Sequence, residues 1–225
     1  MNKWTDAQFA KFFDHTLLKP DAAVSDFEKL CLESKQWGFK MVAINSFPVA
    51  LCKELLKDSD IHVGAAIAFP LGQMTVEAKL AETEDAIKHG CDEIDYVINL
   101  TKLKAGDYAY MKDEMERITA LCRENDVISK VIFENCFLTE DEIKNMAHIA
   151  AQVRPDFIKT STGFGTHGAT AEHVRLMKKE AGNEVKVKAA GGIRDLKTAL
   201  DMIDAGAQRL GSSASVEILK EYQKS

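Results

Sequence analysis

The chain has 225 residues, 46% hydrophobic and 28% charged, enough apolar material to bury a sizeable core and too much for a disordered chain. A formal net charge of −6 with no dense Lys/Arg block argues against non-specific nucleic-acid binding. It leaves an anionic substrate open, because backbone N–H groups can build a local phosphate site.

The segment beginning Met1-Asn2-Lys3-Trp4-Thr5-Asp6 is polar and amphipathic, unlike a signal peptide. A short helix is predicted over 5–13, capped by Thr5 or Asp6, with Phe9, Phe12 and Phe13 on one face. Asp14 to Leu18 forms a first strand carrying the polar groups of Asp14, His15 and Thr16. Ser25 caps a helix over 26–36 that Gly38 ends. A rhythm then sets in. The apolar runs 41–45, 62–70, 93–99, 129–135, 157–162, 185–190 and 209–213 alternate with amphipathic helices over about 48–57, 76–89, 107–124, 139–153, 170–181, 195–205 and 215–223. Thr139 and Glu142 form a capping box for the helix that starts there. Repeated strand–helix units give parallel neighbours, because β-α-β crossovers are right-handed. Eight such units suggest closure into a (β/α)8 barrel, and no linker or composition shift divides residues 1–225 into more than one domain. An open doubly wound sheet is the rival. It would be unusual at eight strands, and no early strand is followed by G-x-G-x-x-G.

No run of about 18 apolar residues is present, so no membrane span is expected. The five cysteines (Cys31, Cys52, Cys91, Cys122, Cys136) are scattered and without a C-x-x-C pair, which reads as reduced thiols in a cytoplasmic protein. The six histidines show no H-x-H or H-E-x-x-H pattern, so neither metal nor other cofactor is expected. His15 fits a hydrogen-bonded structural role better than a substrate contact.

A barrel carries its active site at the C-terminal ends of its strands. The polar residues there are Asp14, Asn45, Asp95, Asn99, Glu134, Lys159, Lys188 and Ser213. Singly, most of these could be turn formers or helix caps. Lys159 and Lys188 differ, because each ends an apolar strand that should be buried, and an ammonium is costly to bury unless it is paired or loses its proton. They lie 29 residues apart, one β-α repeat, which in a closed barrel means adjacent strands roughly 5 Å apart. Mutual repulsion would leave one of them neutral near pH 7, the condition for a nucleophilic amine. Asp95, between Ile94 and Tyr96, points inward if those two pack against helices, and the two lysines are its natural partners. Lys186 shares the pleat face of Lys188 and has no evident partner. Glu134 could orient Lys159. The loops at Gly191-Gly192 and Gly211-Ser212-Ser213 follow the last two strands, where barrels commonly bind phosphate, and Gly163 and Gly165 could add to that cradle.

The stretches Asp14-His15-Thr16-Leu17-Leu18-Lys19, Phe69-Pro70-Leu71-Gly72, Asp92-Glu93-Ile94-Asp95, Lys130 to Glu134, Ile158 to Phe164, Lys188 to Arg194 and Arg209 to Ser213 carry a further signal. Together they resemble the deoxyribose-phosphate aldolase family, class I aldolases with a (β/α)8 fold. The resemblance implies an imine on Lys159, proton transfer and pKa tuning by Lys188, and proton movement through a water by Asp95. It also implies phosphate binding by Gly191, Gly192 and Ser213, with Gly163 beside them and Asp14, Thr16, Asn45, Glu134 and Thr162 in support. The implied substrate is a small phosphosugar and the implied assembly a homodimer. Two positions depart from the family pattern. Ala43-Ile44-Asn45-Ser46 stands where Cys-x-Asn-Pro is frequent, which removes a thiol near the entrance. Glu134-Asn135 stands where Glu-Thr is frequent, which changes a side-chain donor expected near Lys159. Read from the residues alone, two other functions stay open: a phosphosugar isomerase using Glu134 or Asp95 as base, and a phosphosugar-binding protein without catalysis.

Overall fold

The computed structural model describes residues 3–225; Met1 and Asn2, the start of the segment read as unlike a signal peptide, lie outside the described residues. Eight parallel strands close in sequence order: β1 (Phe13–Leu17), β2 (Met41–Asn45), β3 (His62–Ile67), β4 (Glu93–Val97), β5 (Ile128–Ile132), β6 (Phe157–Lys159), β7 (Lys186–Ala190) and β8 (Arg209–Ser212), with β8 pairing back to β1. The helices are α1 (Asp6–Ala10), α2 (Val24–Trp37), α3 (Val49–Leu55), α4 (Val76–Lys88), α5 (Leu100–Lys104), α6 (Tyr108–Glu124), α7 (Glu140–Val153), α8 (Ala171–Ala181), α9 (Leu196–Asp204) and α10 (Ser215–Tyr222). This is a TIM barrel, as the strand–helix rhythm predicts.

Pleat alternation divides each strand between two environments. The outward residues, including Val42, Ile44, Val63, Ile94, Tyr96, Val131, Ile158, Val187 and Leu210, are buried in an apolar shell with the helices. The other face fills the lumen. Its residues include small ones, such as Ala43, Gly64, Ala66, Ala190 and Gly211, charged ones, such as Asp14, Glu93, Asp95, Lys130, Lys159, Lys188 and Arg209, and a few larger apolar ones such as Met41, Ile132 and Phe157. The small and the charged residues fit together because long ionic side chains need the room that small ones leave. A Cβ placed on Gly211 would lie 3.3 Å from Cε of Lys188, so glycine there makes space for the lysine.

Where the expected boundaries differ, the local chemistry explains it. The helix from 5 to 13 is shorter: Thr5 caps it through a capping box with Gln8, it ends at Ala10, and Phe13 belongs to β1. α2 starts at Val24 rather than after Ser25, and the Asp26 carboxylate accepts from the Ala23 amide. β3 stops at Ile67 rather than 70 because Ala68 takes φ +52, which no strand residue adopts. β4 stops at Val97 rather than 99 because Asn99 caps an unanticipated helix, α5, accepting from the Lys102 amide. β6 ends at Lys159, although Thr160 continues to pair through its backbone with Asn135 and Lys188. The Thr139/Glu142 capping box on α7 is present as expected. Among the described residues no helix is long and apolar enough to cross a membrane.

Candidate active site

Four neighbouring strands bring the key charges together. Asp95 sits opposite Lys130 across β4 and β5, and Lys159 opposite Lys188 across β6 and β7. The Asp95 carboxylate is their common point. Its Oδ2 accepts from Lys159 Nζ at 2.8 Å and from Lys188 Nζ at 2.7 Å, and its Oδ1 accepts from Lys130 Nζ at 2.5 Å. Lys188 also lies 2.5 Å from Asp14 Oδ2. Below them, Lys130 pairs with Glu93 Oε2 at 2.6 Å, and Arg209 bridges Glu93 at 3.2 Å to Asp14 Oδ1 at 2.6 Å.

The charge balance of this network weakens one amine. Three carboxylates (Asp14, Glu93, Asp95) face four cationic side chains (Lys130, Lys159, Lys188, Arg209), all buried. The surplus positive charge should leave the cation whose charged form is least supported. That is Lys159. Burial is the largest influence on it; Asp95 opposes this, while Lys188 and Lys130 add to it, and the amine is pushed down to about 8. Burial outranks the neighbouring lysine here, whereas the spacing of the two lysines had suggested repulsion as the chief cause. Burial alone would raise the Asp95 carboxyl, but Lys130, Lys159 and Lys188 outweigh it and hold the group well below the usual carboxylate range. Lys130 is raised, burial being outweighed by Asp95 and Glu93, so it stays a fixed cation.

Lys159 is 4% exposed and reaches a cavity of about 230 Å³ at the C-terminal mouth, which Thr16, Thr162, Gly163, Gly191, Gly192 and Ser213 also line. The hydroxyl-rich segment after Lys159 ties three strands together. Thr160 Oγ1 donates to the Ala190 carbonyl and accepts from the Ala190 amide, at 3.2 and 3.1 Å. Thr162 donates through both its amide and its hydroxyl to Glu134. The far wall is a glycine loop. Gly191 and Gly192 adopt φ +82 and +78, and a Cβ on Gly191 would come within 3.0 Å of Gly168, so the loop needs glycine to pack this closely. α10 begins directly after Ser213-Ala214, and no side chain caps its first turn.

Of the residues singled out in the sequence, Lys159, Thr16, Thr162, Gly163, Gly191, Gly192 and Ser213 border the cavity, while Asp95, Lys188 and Asp14 form the charged floor beside it. Asn45 ends β2 half-buried and away from the cavity lining. Glu134 is not hydrogen-bonded to Lys159: its Oε1 accepts from the Thr162 amide and its Oε2 from the Thr162 hydroxyl. Asn135 lies on the outer side, where its Nδ2 reaches Met177 Sδ of α8 at 3.2 Å, so that departure alters helix packing rather than a donor near Lys159. His15 bonds Glu33 at 3.0 Å and packs on Phe39. Lys186 finds a partner in the Phe157 ring, 5.4 Å from its Nζ, at the lower rim. Lys130, Glu93 and Arg209 were not recognised as part of the site. Glu93 shares the pleat face of Asp95, but nothing in the spacing of Lys130 or Arg209 marks either as its partner.

Comparison with known proteins shows which family the chain is related to. The chain is 59% identical to a deoxyribose-phosphate aldolase of Lactobacillus acidophilus over 216 residues, 96% of this chain and 91% of that one. It is 49% identical to one of Bacteroides thetaiotaomicron over 217 residues, with the same coverage of 96% and 91%. A tetrameric deoxyribose phosphate aldolase from Aeropyrum pernix superposes with a TM-score of 0.91 at 27% identity, covering 97% of this chain and 92% of that one. The description "DeoC/LacD family aldolase" matches residues 9–220, nearly the whole barrel, and the chain belongs to that family.

Proposed function

We propose that this protein is a class I aldolase that reversibly cleaves 2-deoxy-D-ribose 5-phosphate to D-glyceraldehyde 3-phosphate and acetaldehyde. The observation that carries the reading is Lys159: a buried amine pushed down to about 8, bonded to Asp95 and open to a cavity walled by a glycine loop.

The neutral Lys159 amine attacks C1 of the open-chain sugar, and loss of water gives an iminium. Removal of the C3 hydroxyl proton then breaks the C2–C3 bond. Its electrons pass into the iminium to give an enamine, and C3 leaves as the aldehyde of glyceraldehyde 3-phosphate. Protonation of the enamine at C2 and hydrolysis release acetaldehyde and restore the lysine. Asp95 is 3% exposed and sits under Lys159, so it exchanges protons with substrate through a water, with Lys188 on the same carboxylate oxygen completing the transfer. Gly191, Gly192, Ser213 and Gly163 hold the phosphate, and Thr16 and Thr162 contact the sugar. Asp14 supports Lys188, and Glu134 supports Thr162. Residues 1–225 act as one barrel domain, cytoplasmic and self-associating as a homodimer.

A coupled assay for glyceraldehyde 3-phosphate release should show turnover in wild type and none above background in Lys159→Leu. Borohydride reduction with acetaldehyde should add one ethyl group to Lys159. Folded protein with neither turnover nor adduct refutes the reading.

A further inference from the structure

The Asp95 carboxylate is held from two sides, and only one side faces the reaction. Oδ2 takes both Lys159 and Lys188, while Oδ1 takes Lys130 alone. Lys130 is fully buried and does not line the cavity, so it has no access to substrate. We infer that Lys130 is a positioning residue for the reaction, holding Asp95 in the one orientation that presents Oδ2 to the two lysines of the site. The inference rests on the proposed role of Asp95 as proton carrier.

The clamp is anchored far more widely than a single ion pair. Glu93 Oε2 lies 2.6 Å from Lys130 Nζ, and Met41 Sδ lies 3.6 Å away. Glu93 is gripped in turn by Arg209 and by His62, whose Nδ1 is 2.6 Å from Oε1. Strands β2, β3, β4, β5 and β8 all contribute a residue to it. Gly64 of β3 admits the Met41 side chain: a Cβ there would fall 2.5 Å from Met41 Sδ and Cε. A carboxylate turns about its Cβ–Cγ bond in a broad, two-fold well. Bonded only through Oδ2 to two lysines that change protonation during the cycle, Asp95 would swing and exchange its oxygens. A cation that never gives up its proton, placed on Oδ1, removes that freedom. An ammonium suits this place because its three donors radiate from one atom, so a single nitrogen serves Asp95 and Glu93 together.

The test separates imine formation, which needs Lys159, from proton delivery at C2, which needs Asp95. Lys130→Met is compared with wild type in four measurements: borohydride trapping of acetaldehyde on Lys159, inorganic phosphate binding, kcat and KM, and deuterium incorporation into the acetaldehyde methyl group from D2O. Measured on the plateau above the rising limb of each pH profile, trapping, phosphate affinity and KM should stay within about threefold of wild type, while kcat and deuterium exchange fall about 100-fold, within the usual range for general acid–base catalysis. The rising limb of the pH profile should move upward, because Lys130 is one of the cations that weaken the Lys159 amine. The double variant Lys130→Met/Glu93→Gln removes the clamp with its own counter-ion, so it strands no new charge, and should show the same split. Exchange and kcat within threefold of wild type in either folded variant overturn the inference. So does an equal loss of trapping, phosphate affinity and exchange, which marks a structural role only. A wild type that neither traps nor exchanges refutes the aldolase reading itself, and the inference with it.

Discussion

The molecule buries lysine in two places, and only one of them fits the proposed nucleophile. Between α4 and α6, Lys79 donates to Glu114 Oε1 and to the Val97 carbonyl, both at 2.6 Å, and neither charged side chain is exposed. Burial pushes Lys79 down against the pull of Glu114, and pushes Glu114 up against the pull of Lys79. In the lumen, burial likewise pushes Lys159 down. Desolvation is therefore common to both sites and does not separate them. Two things do. The helix-layer pair matches one cation to one anion, whereas the lumen sets four cations against three carboxylates. Lys159 also opens to a cavity. A weakened amine becomes a nucleophile only where surplus charge favours its neutral form and an electrophile can reach it.

Removing Lys159 should have the largest effect. Lys159→Leu is expected to lower turnover by about 10⁴-fold or more, as when a covalent catalyst is deleted, with far-UV circular dichroism unchanged. Asp95→Asn comes next. Turnover should fall about 10³-fold through loss of proton transfer. Asp95 is the anion that supports the Lys159 ammonium, so the amine becomes still less basic and borohydride trapping persists at neutral pH. Loss of trapping in step with turnover would contradict this division of labour. Asp95→Asn also leaves the lumen cations short of a carboxylate, which should cost about 3–5 kcal/mol in urea unfolding. Lys188→Leu should have a smaller, directional effect. The reactive form of Lys159 is deprotonated, so the rate of imine formation rises with pH through about 8. Lys188 lowers that value, and its removal raises it. The rising limb of imine formation should move upward by about one unit, roughly a tenfold loss of trapping rate at pH 7. An unmoved limb would mean that burial alone sets the amine.

Much of this was legible from the residues. Ile94 and Tyr96 flanking Asp95 set the pleat face, and Lys159 and Lys188 at the ends of successive strands set their adjacency. Both follow from period two and from right-handed crossovers. The lower half of the lumen was not legible. Lys130 and Arg209 stand inside or at the start of apolar strands, where sequence alone does not distinguish a lumen cation from one at an exposed rim such as Lys186. Closure of the barrel decides it, since it carries Arg209 of β8 across to Asp14 of β1 and Glu93 of β4. The role of Glu134 was misread for a related reason. Its backbone takes φ +56, turning the side chain along the mouth toward Thr162, and no spacing rule reveals a left-handed residue.

The smallest effect on turnover, and the sharpest test of the contrast, belongs to Lys79. In Lys79→Met, Glu114 loses its cation in a fully buried site, and unfolding free energy should drop by about 3–5 kcal/mol near neutral pH. The pH dependence has a definite sign. The Glu114 carboxyl is already raised by burial even with Lys79 beside it, and without that partner it rises further. Between its unfolded and folded values the native state then binds more protons than the unfolded chain, so stability falls as pH rises through that window and recovers on acidification. Lys79→Met/Glu114→Leu removes both charges and should return to within about 1 kcal/mol of wild type, because apolar replacement of a buried pair is often neutral. Turnover of the folded variants should remain within about twofold of wild type. If Lys79→Met lost turnover at a temperature where it is fully folded, the helix-layer pair would be acting on the end of β4 through Val97, and the two buried lysines would not be independent.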